Sequence, residues 1–279
     1  MSRGLGARSV AFILAAAAAL ALAANASAAM MDGNDLGAPA GLSPHSVPLL
    51  PLSRIDNNTV TSSNWSGYAV QDAAKFTDVT GTWVEPAATC KSFFFSQYAA
   101  FWAGIDGYSS NSVEQLGTEA DCRGRNRPSY YAWYELFPAT SIPLSTSLYP
   151  VQPGDTMTAE VSVSGSTFTL TLKSSEGWTF TTTQTGSGLA QSSAELIAEA
   201  PQLCGIFFCR QAQLTNFGTI NFTGAQAAVN GGSDQPFSSF TADSGPHEII
   251  AESSNGTVKA QPSPLSTDGT AFSITWEHA

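Results

Sequence analysis

The stretch FWAGIDGYSSNSVEQLGTEADC, Phe101 to Cys122, contains two strand-like segments separated by a polar turn. Such a pattern favours a β-hairpin. Gln115 lies in the middle of the second segment, and four carboxylates surround it in the sequence: Asp106, Glu114, Glu119 and Asp121. The hairpin therefore raises the question of which other part of the chain supplies a partner for this amide.

Short alternating segments rich in Val, Thr and aromatic residues continue on both sides of this hairpin. Turn residues separate them, at Pro153-Gly154-Asp155, Ser164-Gly165-Ser166 and Asn230-Gly231-Gly232. The segments are NWSGYAV, DVTGTWVEP, SYYAWYELF, TMTAEVSVS, STFTLTLKS, WTFTTTQT and AFSITWEH. This pattern predicts an all-β fold, an antiparallel sandwich of two packed sheets in a single domain.

The N-terminal segment has the organisation of a secretory signal. Arg3 and Arg8 precede an apolar run from 10 to 24, and the small residues NASAA follow. The run is shorter than the roughly 20 residues that span a membrane, so cleavage is favoured over an anchor. We predict a signal peptide over 1–29, a pro-segment or leader linker over 30–58, and a secreted domain over 59–279 without a membrane segment.

A secreted protein meets an oxidising environment, so its four cysteines are expected to form disulfides. Local pairing predicts two bonds, Cys90–Cys122 and Cys204–Cys209. A metal site would need histidines at ligand spacing. The three histidines are scattered, at His45, His247 and His278, so no metal is expected.

The charge balance excludes one class of partner and is compatible with an acidic environment. The chain carries 11 basic and 22 acidic residues, with a net charge of −11. Nucleic acid binding calls for a basic face and is not expected. Only 12% of the residues are charged, so few native ion pairs are available to be lost in acid.

The familiar hydrolase motifs are missing from the sequence. It has no GxSxG, HExxH or SxxK motif, and its one Asp-Ser-Gly triplet, at Asp243, has no second copy for a two-carboxylate dyad. Carboxylates, amides and aromatic residues remain as candidates, each with a purely structural alternative as core, turn or surface residue: Trp102, Asp106, Gln115, Trp133, Glu135 and Glu199.

Strand periodicity groups some of these candidates. Trp133 and Glu135 share one face of a strand, and Glu195, Ile197 and Glu199 share another. An apolar neighbour beside a carboxyl suits a general acid or base that works in acid.

The ordered motifs resemble those of the glutamic peptidases, the eqolisins. They are NWSGY, VTGTWVEP, WAGIDG, EQLG, AWYELFP, PGD and AELIAEAP, and they run from about Asn64 to about Trp276. The resemblance implies a concanavalin-like sandwich and an acid endopeptidase that needs no metal or cofactor. Its partners would be protein or peptide substrates, and a monomer is the default.

The same resemblance implies roles for individual residues. Gln115 and Glu199 match the catalytic pair. Glu199 would take a proton from water and return it to the leaving amine, while the Gln115 amide would hold the water and donate to the oxyanion. Four further residues match the family's cleft: Trp102, Asp106, Trp133 and Glu135.

Three departures from the family pattern and two other functions stay open. Leu116, Tyr131 and Leu196 differ from the usual family residues, Tyr131 standing where fungal members tend to carry an acid. One alternative is a glycoside hydrolase that uses paired glutamates such as Glu135 and Glu199. The other is a non-catalytic sugar- or peptide-binding sandwich with Trp102 and Trp133 as its platform.

Overall fold

The computed structural model describes residue 1 and residues 53–279, apart from 57, 93, 125–127, 205–208 and 243–244. The predicted signal peptide and most of the predicted leader lie outside the described residues, as does Asp243. All regular elements in the described part are strands, except one turn of 3-10 helix at Phe237–Ser239. None of its helices has the length and apolar character needed to cross a membrane.

The strands follow one another along the chain in short, regularly spaced segments. Their bounds are β1 Ser53–Arg54, β2 Thr59–Ser62, β3 Trp65–Gln71, β4 Phe76–Val84, β5 Gln97–Ile105, β6 Val113–Cys122, β7 Ser129–Phe137, β8 Ile142–Pro143, β9 Thr156–Ser164, β10 Thr167–Ser174, β11 Thr179–Thr185, β12 Ser193–Glu199, β13 Gln202–Cys204, β14 Cys209–Gln211, β15 Gln213–Leu214, β16 Thr219–Val229, β17 Gln235–Pro236, β18 His247–Glu252, β19 Val258–Pro262 and β20 Phe272–Trp276.

The strands form two mainly antiparallel layers. The first layer has the order β8, β7, β6, β5, β12, β3, β18, and the second has the order β11, β10, β9, β4, β16, β20, β19. The predicted all-β sandwich is confirmed. Hydrogen bonding also continues from one layer to the other, because β18 pairs with β19 at Ala251 and Ala260.

The core lies between the layers and follows from the alternation of side chains along each strand. In β5, Phe101 and Ile105 belong to the same buried cluster as Trp83 of β4 and Met157 of β9. The layers approach closely at Gly81, where an added Cβ atom would lie 2.5 Å from Leu196 Cδ2. A side chain at residue 81 would therefore require Leu196 to move where β4 crosses β12.

A disulfide ties the end of β6, in the first layer, to the segment that follows β4. The predicted Cys90–Cys122 bond is confirmed, with a Cα–Cα distance of 5.3 Å, and joins the segment after β4 to the end of β6. Cys209 is also disulfide-bonded, and its register partner between β13 and β14 is Cys204. The side chain of Cys204 lies outside the described residues. Before β2, β1 lies inside the predicted leader and pairs with β2 through Ser53 and Thr61.

One buried carboxyl, that of Glu85, links the two layers. Glu85 follows β4 and is 1% exposed. The hydroxyl of Thr118 in β6 donates to Glu85 Oε2 over 2.5 Å, and the indole nitrogen of Trp83 donates to the same oxygen over 3.4 Å. Burial raises the pKa of Glu85 to about 8, although these two hydrogen bonds lower it. The carboxyl is therefore neutral in acid.

This raised pKa predicts a fold that is more stable in acid than near neutral pH. Glu85 has an ordinary pKa of 4.5, so its contribution to stability is complete below about pH 4.5 and is lost as the pH rises through about 8. Glu85→Gln cannot ionise. Calorimetry should therefore show a smaller fall in Tm from pH 5 to pH 8 for Glu85→Gln than for the wild type.

Glu176→Gln is the control for this experiment, because Glu176 lies in an exposed turn after β10. It should keep the wild-type dependence of Tm on pH. If Glu85→Gln keeps that dependence too, the ionisation of Glu85 does not limit the stability of the fold.

Candidate active site

The outer face of the first layer carries buried polar and aromatic side chains. Aligned residues of β6, β5 and β12 form three parallel rows on this face. The rows are Gln115, Gly104, Glu195; then Gly117, Trp102, Ile197; then Glu119, Ala100, Glu199. Gln115 and Glu199 occupy opposite corners of this grid, and Trp102 lies at its centre.

Two glycines on neighbouring positions leave room for the Trp102 side chain at the centre of the grid. An added Cβ at Gly104 would lie 2.9 Å from Cζ3 of Trp102, and one at Gly117 would lie 2.8 Å from Cβ of Trp102. Trp65 of β3 packs edge-on against Trp102, with ring centroids 4.8 Å apart. These contacts hold the indole ring in one position between the polar corners.

Gln115 is fully buried, and its amide is oriented by a neighbouring strand. Gln115 and Glu135 are register partners in β6 and β7. Gln115 Nε2 donates to Glu135 Oε2 over 2.8 Å. Gln115 Oε1 has no hydrogen-bond partner among the described residues. The amide therefore has one oriented N–H, a second N–H and a carbonyl oxygen for other partners.

Glu199 is also fully buried, and two side chains donate to its carboxyl. The indole nitrogen of Trp102 donates to Oε2 over 3.0 Å, and Asn64 Nδ2 donates to Oε1 over 3.3 Å. Both carboxyl oxygens are thus fixed. In the sequence, Asn64 stands out only as part of the NWSGY motif, and strand periodicity gives no signal for its contact with Glu199.

Glu135 has the electrostatic signature of a site residue. Burial raises its pKa well above the ordinary value, and the nearby charge of Glu199 raises it further, while the hydrogen bond from Gln115 lowers it. Glu135 is 1% exposed, as is Trp133 two residues before it on the same face of β7. Perturbed carboxyls grouped in this way are typical of functional sites.

Asp106 lies at the edge of this face, in the turn after β5, where its charge raises the pKa of Glu195. It has a positive φ of 71° at the turn after β5. Its carboxylate accepts the backbone N–H groups of Gln191 and Ser192 over 2.7 and 2.8 Å. These bonds tie the β5–β6 turn to the segment before β12. Within the described residues, no His, Cys, Asp and Glu side chains form a group of three or more that could hold a metal ion.

Comparison with known proteins shows which family the chain belongs to. A sequence profile described as the Peptidase A4 family matches residues 63–275. The chain belongs to this family of glutamic peptidases. Aspergillopepsin-2 of Aspergillus niger is 28% identical over 203 residues, which are 64% of this chain and 69% of that protein. The match favours a peptidase over the sugar-directed and non-catalytic alternatives.

Solved structures show the same fold. A crystal structure of scytalido-glutamic peptidase with a peptide-based transition state analog has a TM-score of 0.64 and 21% identity, covering 77% of this chain and 98% of that one. SCP-B, described as a member of the eqolisin family in complex with the tripeptide Ala-Ile-His, has a TM-score of 0.61 and 20% identity, with the same coverage.

This glutamic peptidase has a further polar pair on the face that the sequence analysis did not predict. The Tyr131 hydroxyl of β7 donates to Glu119 Oε2 over 2.7 Å. Burial raises the pKa of Glu119, and the bond from Tyr131 lowers it. Tyr131 departs from the usual family pattern. The signal for its contact was its alignment with Glu119 on neighbouring strands.

We expect Tyr131→Phe to raise the pKa of Glu119, because the charged carboxylate loses its hydroxyl donor. The size should be about one unit, the effect of a hydrogen bond to a charged group. Carboxyl 13C NMR on glutamate-labelled protein measures it. The matched control is Tyr130→Phe, whose hydroxyl accepts from the Ala88 amide over 2.8 Å. Equal shifts in both variants would contradict a specific Tyr131–Glu119 bond.

Proposed function

We propose that this glutamic peptidase is a secreted acid endopeptidase that hydrolyses peptide bonds with Gln115 and Glu199. The observation that carries the proposal is the arrangement of these two side chains on one buried face. Both are held by neighbours, Gln115 by Glu135 and Glu199 by Trp102 and Asn64. Preorganised polar groups of this kind are what acyl transfer to water requires.

The proposed reaction begins with a water molecule between the two side chains. The Glu199 carboxylate takes a proton from the water as its oxygen attacks the scissile carbonyl carbon. The carbonyl oxygen becomes an oxyanion, and the second N–H of Gln115 donates to it. Glu199 then returns the proton to the amide nitrogen as the C–N bond breaks, leaving a carboxylic acid and an amine.

The neighbouring residues have positioning roles in this proposal. Glu135 accepts one N–H of Gln115 and thereby leaves the amide oxygen free to accept from the water. Trp102 and Asn64 occupy both oxygens of Glu199 and set the plane of its carboxyl group. Trp102 and Trp133, which are buried on the same face, give the two polar side chains an apolar surrounding.

The test compares wild type with Glu199→Gln in digestion of a denatured protein from pH 2 to 7. Loss of the general acid and base should reduce the rate at least ~100-fold. Gln115→Ala should cost roughly 3 kcal/mol of transition-state stabilisation, as loss of an oxyanion donor does. Circular dichroism checks that each variant is folded.

Glu114→Gln is the matched control, because Glu114 is also a fully buried glutamate of β6 but lies on the opposite face from Gln115. It should keep wild-type activity. Acid activity that survives in folded Glu199→Gln would assign the chemistry to another carboxyl. Equal losses of digestion rate in Glu114→Gln and Glu199→Gln would show that removing any buried carboxyl lowers activity.

We further propose that residues 1–29 are removed on secretion and that the leader up to residue 58 is removed during maturation. The N-terminal signal pattern supports the first step. Mass spectrometry of the protein from the culture medium should show a chain that begins near residue 59. A chain that begins near residue 30 would retain β1 and limit processing to the signal peptide. An intact residue 1 in secreted protein would contradict both steps.

A further inference from the structure

The grid on the outer face has a second diagonal that the proposed mechanism does not use. Gln115 and Glu199 occupy one diagonal, and Glu119 and Glu195 occupy the other. Each diagonal crosses Trp102. A peptide whose scissile bond lies between Gln115 and Glu199 crosses their diagonal, so its two ends extend toward the corners that carry Glu119 and Glu195.

Glu195, at one corner of the grid, is a buried carboxyl that can accept a further hydrogen bond. It is fully buried. Its Oε1 accepts one long bond, of 3.4 Å, from the backbone N–H of Tyr108. Its Oε2 has no hydrogen-bond partner among the described residues. Leaving a buried polar atom unsatisfied costs about 1–3 kcal/mol, which a bound ligand would recover.

The surroundings of Glu195 limit the direction from which such a ligand comes. Tyr108 stacks on His247, with ring centroids 4.9 Å apart, and this pair lies on the side of Glu195 away from the grid. On the grid side, Glu195 is aligned with Gly104, and the Trp102 ring covers this position, since an added Cβ at Gly104 would lie 2.9 Å from Trp102 Cζ3. Neighbours therefore border the carboxyl on both sides within the layer, and a ligand reaches it from the outer side of the layer.

We propose that Glu195 is a substrate-positioning residue that hydrogen-bonds the backbone of the bound peptide on one side of the scissile bond. The proposal rests on the proposed endopeptidase function and assigns a contact that this function leaves open. Glu195 Oε2, which has no hydrogen-bond partner among the described residues, supplies the hydrogen bond, and the partner is a peptide group of an extended substrate chain.

Strand geometry gives the position of this contact along the substrate. Two strand spacings measure about 10 Å and four residues along a strand about 13 Å. Half the diagonal of such a grid is about 8 Å, and an extended chain covers it with two or three residues. Glu195 therefore contacts the substrate two or three residues from the scissile bond, and Glu119 lies at the corresponding place on the other side.

The protonation of Glu195 fits this role. Burial raises its pKa well above the ordinary value, the neighbouring Ser193 hydroxyl and the Tyr108 N–H lower it, and the charges of Asp106 and Glu114 raise it further. In acid the carboxyl is neutral, and it both donates and accepts a hydrogen bond. A peptide group offers one donor and one acceptor in return.

The experiment uses the processed enzyme and a peptide series shortened one residue at a time from each end. For peptides that reach Glu195, Glu195→Leu should lower kcat/KM about tenfold through KM, with kcat unchanged. This fall in kcat/KM should vanish when the peptide has fewer than two residues on one particular side of the scissile bond. Glu195→Gln should retain most of the wild-type kcat/KM, because an amide also donates and accepts.

Matched variants separate this contact from a loss of folding. Glu85→Leu makes the same substitution at a buried glutamate between the two layers, away from the outer face, and it should leave kcat/KM unchanged. Glu119→Leu should act on the opposite end of the peptide. Should Glu195→Leu fail to fold, Glu195→Ser keeps the test open, with the same length dependence expected.

The outcomes distinguish this inference from the proposed function. One outcome would overturn the Glu195 assignment alone. In it, the wild-type activity depends on Glu199, but the effect of Glu195→Leu is the same for all peptide lengths or appears in kcat. Effects of Glu195→Leu and Glu119→Leu at the same end of the peptide would overturn the assigned substrate direction and with it the contact. A wild type without acid peptidase activity would overturn both proposals.

Discussion

The burial of carboxyl groups without cations is the constraint on which the rest of this structure depends. Withdrawing a carboxylate from water costs several kcal/mol unless a cation or several donors accompany it. The chain has half as many basic as acidic residues, so cations cannot accompany them all. The buried carboxyls bind protons instead, and burial raises the pKa values of Glu85 and Glu114 to about 8. These two carboxyls therefore favour the folded state in acid, and the candidate active site on the outer face carries further buried carboxyls of the same kind.

Two-faced strands make this arrangement possible. In β12, Leu196 and Ala198 pack into the core between the layers, while Glu195 and Glu199 lie on the outer face. Alternation alone produces this division. Because both faces are buried, such a strand does not show the usual alternation of buried and exposed residues. Its polar positions therefore look like surface positions in the sequence although they are 0% exposed.

The sequence predicted what depends on neighbours along the chain. The β5–β6 hairpin and the Cys90–Cys122 bond join adjacent segments, so strand patterns and local cysteine pairing were sufficient. The insertion of β12 between β3 and β5 joins segments that are far apart in the chain, and no local pattern encodes it. The contacts of Glu199 with Asn64 and Trp102 follow from that insertion, so only the family resemblance could connect Glu199 with Gln115.

An amide has a particular value on a face of this kind. The carboxyls there change charge as the pH changes, and each change alters the field at its neighbours. Gln115 keeps both its donors and its acceptor at every pH. Glu135 Oε2 can accept the Gln115 N–H when the carboxyl is ionised, and also when its proton lies on Oε1. The hydrogen bond is stronger to the ionised carboxyl, since it lowers the pKa of Glu135, but it can persist in both protonation states. In the proposed mechanism, an oxyanion donor with that property can function among carboxyls that are gaining and losing protons.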